Sequence, residues 1–261
     1  MPTARWCCVN AYFYYMRIIP LSEGSFTIDK SKLFVPFNKV SDDLQERARG
    51  SLLVEVQPFV VITAEDVLLI DTGLGFKGDD GRLQLHTNLM NAGINPSEIT
   101  KVLMSHLHKD HAGGVDYINE FGERKLSFPG ATYYIQQQEL DFAFTKGFPS
   151  YITEELEILK DNPQVHLLHG NGVLNGYIKY EVTGAHSPFH QVFTIVDGGE
   201  KLFFGGDDAP QLQQMKSRFV AKYDYDGKKC MELRQQWWKQ GEQEHWTFLF
   251  YHDIASPTFS F

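Results

Sequence analysis

Cysteine is scarce in this chain. The three present, Cys7, Cys8 and Cys230, are odd in number, two of them are adjacent, and no C-x-x-C occurs. That set does not suit a disulfide framework and points to a reduced, cytoplasmic setting. Long apolar runs are also missing: none reaches the roughly 20 residues that a membrane-spanning helix needs. Arg5 and the aromatic stretch after it are the one leader-like feature. Asn10 and Arg17 interrupt that stretch and no small-x-small cleavage site follows, so export is the lesser alternative and Met16 competes with Met1 as the start. Basic charge is in deficit. Lys and Arg number 24 against 33 Asp and Glu, a net charge of −9, which disfavours a broad grip on nucleic acid or on an anionic membrane. Low-complexity tracts and short repeats are absent as well.

What remains is an ordinary globular composition, 43% hydrophobic and 22% charged over 261 residues. That length suits one domain spanning 1–261, with 1–50 as an N-terminal strand and loop extension. Arg17-Ile18-Ile19 reads as an edge strand. Residues 20–50 read as a long loop with short strand or helix pieces, its Phe26, Phe34 and Phe37 plugging a core edge or forming a lid.

Chemistry concentrates in Met104-Ser105-His106-Leu107-His108-Lys109-Asp110-His111-Ala112-Gly113-Gly114. Three of the ten histidines fall within six positions, written H-x-H-x-D-H. Lys101–Met104 before it is short, apolar and preceded by turn residues, so it reads as a buried strand. If His106 and His108 continue the strand alternation, their imidazoles point the same way. Asp110 and His111 lie past the strand, where a loop aims them at a second point nearby. Two ligands for one cation and two for a neighbour is the simplest chemical use of the spacing.

Other strands deliver polar residues in the same manner. Leu52–Val56, Phe59–Thr63 and Val67–Ile70 read as a hairpin or meander ending at Asp71-Thr72-Gly73. Gly73-Leu74-Gly75-Phe76-Lys77-Gly78 matches G-x-G-x-x-G, but its third glycine runs into Asp79-Asp80-Gly81 and not into a helix, so no pyrophosphate site is expected. Leu83–Ala92 has helical spacing with Gly93 as its stop. Ala131–Ile135 reads as a strand, with helices at 136–144 and 153–160, and Phe142, Phe144, Phe148 and Tyr151 as packing residues more than pocket walls. Val165–His169 and Ile178–Thr183 follow as strands, the latter delivering His186 and His190. A hairpin, 191–196 with 201–204, turns at Asp197-Gly198-Gly199 and ends at Gly206-Asp207-Asp208. A helix over 231–245 with Leu233, Trp237 and Trp238 inward precedes the last strand, Thr247–Tyr251, which ends at His252. Asp71, His106 with His108, His186, Asp207 and His252 thus share one placement, the end of a strand, where loops can surround a ligand. A carboxylate such as Asp71 there suits orienting a metal's ligands.

This arrangement resembles the metallo-β-lactamase-fold hydrolases over Leu52 to His252. It carries D-T-G at 71–73, H-x-H-x-D-H at 106–111, His186 in an H-S-P-x-H setting, G-D at 206–207 and the late His252. The resemblance implies an α+β fold, an αββα sandwich of two mixed sheets with helices on the outer faces. It implies one metal held by His106, His108 and His186, another by Asp110, His111 and His252, and Asp207 bridging them. Asp208 is the adjacent competitor, and His190 matches a structural histidine. The implied cofactors are two divalent ions, Zn first with Fe or Mn tolerated by the donor set. The implied activity is hydrolysis of an ester, lactone or related bond of a small molecule by water activated between the ions, with Asp207 or Asp110 handing a proton to the leaving group. The closer likeness is to the lactonase-like and organophosphate-hydrolase-like branch. Its homoserine lactonases carry a tyrosine three residues past the bridging aspartate; this chain has Pro210. The rivals are a phosphodiesterase or nuclease of the superfamily and an iron-dependent oxidoreductase on the same fold. The expected partner is a small-molecule substrate, with no membrane or nucleic acid, and a homodimer is compatible with the chain.

Overall fold

Neighbouring residues of single strands bury in different layers, and this alternation builds the molecule. Val60 and Leu69 face one core while Val61 and Leu68 face another; Phe203 and Phe204 divide in the same way. Side chains of a strand alternate between its faces, so a strand apolar on both sides must be covered on both. The computed structural model describes residues 16–119 and 121–261; Cys7, Cys8 and the leader-like stretch up to Tyr15 lie outside them. Two six-stranded sheets share the central core, in which Val61, Leu68 and Leu103 of one meet Phe193, Phe204 and Leu249 of the other.

The first sheet runs Arg17–Pro20, Phe59–Ile62, Val67–Ile70, Lys101–Leu103, Thr132–Gln136, Val165–Leu168 in spatial order. It is antiparallel at the first two junctions and parallel at the rest. Its outer face buries Leu85 and Leu89 of the helix Gln84–Asn91 and Leu140 of the helix Gln137–Lys146. The second sheet runs Gly172–Leu174, Ile178–Val182, Gln191–Asp197, Glu200–Phe204, Thr247–Leu249, Thr258–Ser260, with one parallel junction, between Glu200–Phe204 and Thr247–Leu249. Trp237 of the long helix Gly227–Glu244 packs on its outer face with Phe203, Trp246 and Phe248. The result is the expected αββα sandwich, and Arg17–Pro20 is an edge strand of the first sheet.

Several local expectations are corrected. Residues 20–50 are not mainly loop: Gly24–Ile28 pairs with Phe34–Pro36 and with Leu52–Val56 in a separate three-stranded sheet. Leu52–Val56 therefore leaves the meander assigned to it, and the chain changes sheets at Gln57-Pro58, where proline has no N–H to give a ladder. The helix expected over 153–160 is one α-turn, Thr153–Leu156, followed by a 3-10 turn. In the long helix Leu233 and Trp238 are only half-buried, whereas Arg234 is fully buried. Its guanidinium donates to the carbonyls of Asp208 (2.8 Å) and Phe219 (2.5 Å), which accounts for a cation in an apolar face. Of the four aromatics at 142–151, Tyr151 is buried, Phe142 and Phe144 pack against the core, and Phe148 is exposed.

The glycines of the rejected G-x-G-x-x-G motif have a packing role. Gly75 sits at φ +72°, and a Cβ there would lie 2.1 Å from the Gly113 carbonyl oxygen. Backbone thus presses on backbone where the turn after Val67–Ile70 meets the turn that ends the histidine cluster. The amide of Gly113 donates to the Gly73 carbonyl (2.9 Å), and Thr72 donates through its amide and hydroxyl to the His111 carbonyl (2.6 and 2.9 Å). Adding a methyl at Gly75 combines left-handed strain with a clash against a carbonyl that cannot rotate away. Gly75→Ala is expected to lower unfolding stability by about 2–4 kcal/mol, measured by denaturant titration.

Candidate metal centre

The expected site residues gather at one end of the two sheets. Nitrogen and oxygen atoms of His106, His108, His186 and Asp207 form one group, and those of Asp110, His111 and His252 a second; within each group all lie within 4.8 Å of one another. His106 and His108 leave Lys101–Leu103, and Asp110 and His111 sit in the short helix Lys109–Ala112 that follows. His186 lies in the turn after Ile178–Val182, Asp207 in the turn after Glu200–Phe204, and His252 past Thr247–Leu249.

Tautomers are fixed from outside. Asp71, fully buried at φ +57°, accepts from the amide and hydroxyl of Ser105 (both 2.7 Å) and from His111 Nδ1 (2.8 Å). Because Ser105 Oγ donates to Asp71, it accepts from His106 Nδ1 at 3.0 Å. His186 Nδ1 donates to Asp224 (2.8 Å), and His252 Nδ1 donates to the Glu55 carbonyl (2.6 Å). Four imidazoles therefore turn Nε2 inward, as the atom left to meet a cation or a proton.

Those inward atoms face other acceptors. His106 Nε2 and His186 Nε2 lie 2.9 and 3.1 Å from His108 Nδ1. Asp207 Oδ2 is 3.2 Å from His186 Nε2, while its Oδ1 is 3.1 Å from His111 Nε2 and 3.0 Å from His252 Nε2. Asp110 Oδ2 lies 3.6 and 3.4 Å from His111 and His252. Lone pairs aimed at lone pairs repel unless a cation or protons lie between them. Ligand–metal bonds of about 2.0–2.1 Å give tetrahedral edges of about 3.3 Å, which these separations bracket. His111 Nε2 and Asp207 Oδ1 are moreover buried without a hydrogen-bond partner. The donor set fits divalent cations.

The electrostatics carry the same demand for positive charge. Burial holds His106 and His108 well below the usual imidazole range, with neighbouring histidines adding to the effect, so both are neutral donors. Burial also opposes charge on His252 and His111, yet the Asp207 and Asp110 carboxylates outweigh it and raise His252 to about 10 and His111 well above its ordinary value. For Asp110 burial is outweighed by His111 and His252, and the carboxyl falls to about 2.

Asp208 is placed elsewhere. Fully buried, it accepts from the His186 amide (2.7 Å) and lies 3.1 Å from His190 Nδ1, bracing the His186 turn from behind. His190 Nε2 accepts from the Asp207 amide (3.2 Å) and is outside both groups. Three supports were not legible beforehand. Asp224 carried no motif. Tyr251, read only as the end of the last strand, stacks on His111 at 4.0 Å and donates to the Asp110 carbonyl (2.6 Å). Glu139, on a helix where solvent exposure is the rule, accepts from the Leu107 amide, Tyr151 and Ser187, tying the two histidine turns together.

A cavity of about 950 Å³ opens over these groups, reaching His108, Asp110, His186, Asp207 and His252 at its floor. Pro210, three residues past Asp207, lines it and accepts the His252 amide through its carbonyl (3.0 Å).

A four-layer sandwich with histidines and aspartates at its strand ends defines a class of metal-site proteins, and comparison with known proteins supplies the family. The sequence profile of the metallo-beta-lactamase superfamily matches residues 54–235, and the chain belongs to that superfamily. An N-acyl homoserine lactonase AttM of Agrobacterium fabrum is 29% identical over 116 residues, 40% of this chain and 38% of that protein. The AttM of Azorhizobium caulinodans is 27% identical over 114 residues, again 40% and 38%. The chain thus spans well under half the length of these curated relatives. Among solved structures, a probable metal-dependent hydrolase from Staphylococcus aureus superposes with a TM-score of 0.75 at 24% identity, covering 94% of this chain and 92% of that one. AidC, a dizinc quorum-quenching lactonase, superposes with a TM-score of 0.69 at 23% identity, covering 93% and 89%.

Since Asp224 holds the His186 ring through Nδ1, Asp224→Asn is expected to weaken metal affinity by about 10–100-fold, read by competition with a chromogenic chelator.

Proposed function

We propose that this chain is a hydrolase that holds two divalent cations, zinc being the best match, and cleaves an ester or lactone of a small molecule, acting as a single domain. His106, His108 and His186 would hold one ion and Asp110, His111 and His252 the other, with Asp207 shared. The observation that carries the reading is the Asp207 carboxylate, whose Oδ1 faces His111 and His252 while its Oδ2 faces His186. Five imidazoles with two carboxylates suit zinc and tolerate iron or manganese. A bound pair of such ions supplies Lewis acidity toward the scissile carbonyl and lowers the pKa of a water between them.

The chain's own residues do the rest. Asp71, Ser105, Asp224 and the Glu55 carbonyl keep four lone pairs inward through the reaction. The Asp110 and Asp207 carboxylates line the cavity floor, where either can take the proton of an attacking water and return it to the leaving alkoxide. No serine or cysteine nucleophile is needed: Cys230, the one described cysteine, is buried against Asp208 and its thiol is pushed far up by burial. Lactone cleavage is supported by the AttM and AidC likenesses, whereas the nuclease alternative is disfavoured by the net charge of −9. All seven side chains come from one chain, so the site needs no second subunit.

The test is metal analysis with a panel of lactones, aryl esters, phosphoesters and single-stranded RNA. The expected result is about two metal equivalents per chain, ester or lactone turnover, and loss of both on chelation. His108→Ala is expected to lose metal and to cut kcat/KM by about a thousandfold, the equivalent of several kcal/mol of lost charge stabilisation. Full activity in the chelated protein rejects the reading.

A further inference from the structure

The cavity over the metal groups has a charge opposite to that of the whole chain. Lys30, Lys32, Arg47, Lys109 and Lys222 line it, and its one carboxylate besides Asp110 and Asp207 is Asp29. Asp29 is already occupied, accepting from the amide and hydroxyl of Ser31 (2.8 and 2.6 Å). In a chain with nine more acids than bases, this is a local inversion.

Two of the cations are half-buried and directed. Lys32 Nζ lies 5.8 Å from the Tyr223 ring centroid, reaching from the N-terminal sheet to the loop before the long helix. Lys109 Nζ lies 5.7 Å from the Phe34 ring, reaching from the histidine cluster to that same sheet. Both rings line the cavity. Among the described residues neither ammonium forms an ion pair, although lysines elsewhere, such as Lys39, Lys101 and Lys201, do. A half-buried ammonium without an ion-pair partner in contact is unfavourable, and a ring face offsets only part of that. The same cavity is lined by Ile28 and Leu52, cross-strand partners, and by Val54 and Phe219. An apolar wall with unpaired cations above it matches a molecule that carries an apolar chain and an anionic group.

We propose that the substrate is an ester or lactone bearing an anionic group, such as a carboxylate, several bonds from the scissile carbonyl, and that Lys32 and Lys109 are the residues that bind that group. This rests on the hydrolase reading above and narrows it to one substrate class. The anion sits between the two ammonium groups while the chain lies along the Ile28–Leu52 wall and the carbonyl reaches the floor.

Two experiments separate this inference from the reading beneath it. The first compares the metal-loaded protein on 4-nitrophenyl hexanoate and on the mono-4-nitrophenyl ester of hexanedioic acid, which differ by a terminal carboxylate. The acid ester is expected to have the higher kcat/KM by about tenfold, an advantage that shrinks as KCl rises from about 20 to about 300 mM. Lys32→Gln and Lys109→Gln should each lower the acid-to-neutral ratio several-fold, and Lys179→Gln, a surface lysine paired with Glu181 outside the cavity, should not. A ratio at or below one, or one that Lys32→Gln leaves unchanged, overturns the proposal. The second measures hexanesulfonate, a weak metal ligand, by calorimetry on chelator-stripped protein against the neutral hexyl methyl sulfone. Preferential binding of the sulfonate that Lys32→Gln abolishes supports the anion site even if neither ester is cleaved, in which case the hydrolase reading alone fails. Equal binding of the two probes overturns the anion site whatever the esters do.

Discussion

An imidazole can offer a lone pair to a cation only if its other nitrogen gives its proton to something that does not move. At this site Asp71, Ser105, Asp224 and the Glu55 carbonyl perform that service for four of the five histidines. Asp71 is braced by two bonds from Ser105 and sits at a positive φ that only the surrounding packing can enforce. The rest of the structure can be understood as the means of bringing those acceptors behind those rings. Each lies on a different segment: Asp71 and Ser105 follow strands of the first sheet, Glu55 lies in Leu52–Val56, and Asp224 sits in the loop before the long helix.

The sandwich makes this feasible because it separates holding from doing. Three apolar clusters lock the strands, the middle one formed jointly by both sheets, and the polar residues are confined to the turns leaving one end. Where those turns meet, their backbones are in contact: Gly75 against Gly113, Thr72 against the His111 carbonyl. Position errors in one strand are therefore transmitted to a ligand atom with little slack. Arg234 extends the same logic to the second sheet, clamping the Asp208 and Phe219 carbonyls so that the loop bearing Asp224 is set against His186.

Charge is organised on two scales. The chain as a whole is acidic, while the cavity holds five bases above a floor that itself demands positive charge. A cleft with that sign concentrates small anions from solution although the protein's net charge repels them, because the field inside a low-dielectric wall is set by the nearest charges and the distant surface is screened.

The sequence by itself determined the chemistry and the approximate order of strands, while the layered fold was implied by resemblance. H-x-H-x-D-H, the strand-end placing of His186, Asp207 and His252, and the β-branched runs that read as strands were legible because they are local: spacing and alternation set direction within a few residues. Even so, the neighbours Asp207 and Asp208 could be ranked only by resemblance, and tertiary structure places one among the ligand atoms and the other behind His186. Asp224, Glu139 and Tyr251 were illegible because each acts on a residue that is remote in the chain or reached through a backbone atom, and no local pattern records such a contact. The same holds for Leu52–Val56, whose pairing partner was decided by the turn at Pro58 and by which edge, Phe59–Ile62 or Gly24–Ile28, lay within reach once the sheets had formed. Alternation fixes which way a side chain points; only the packed whole fixes what it meets.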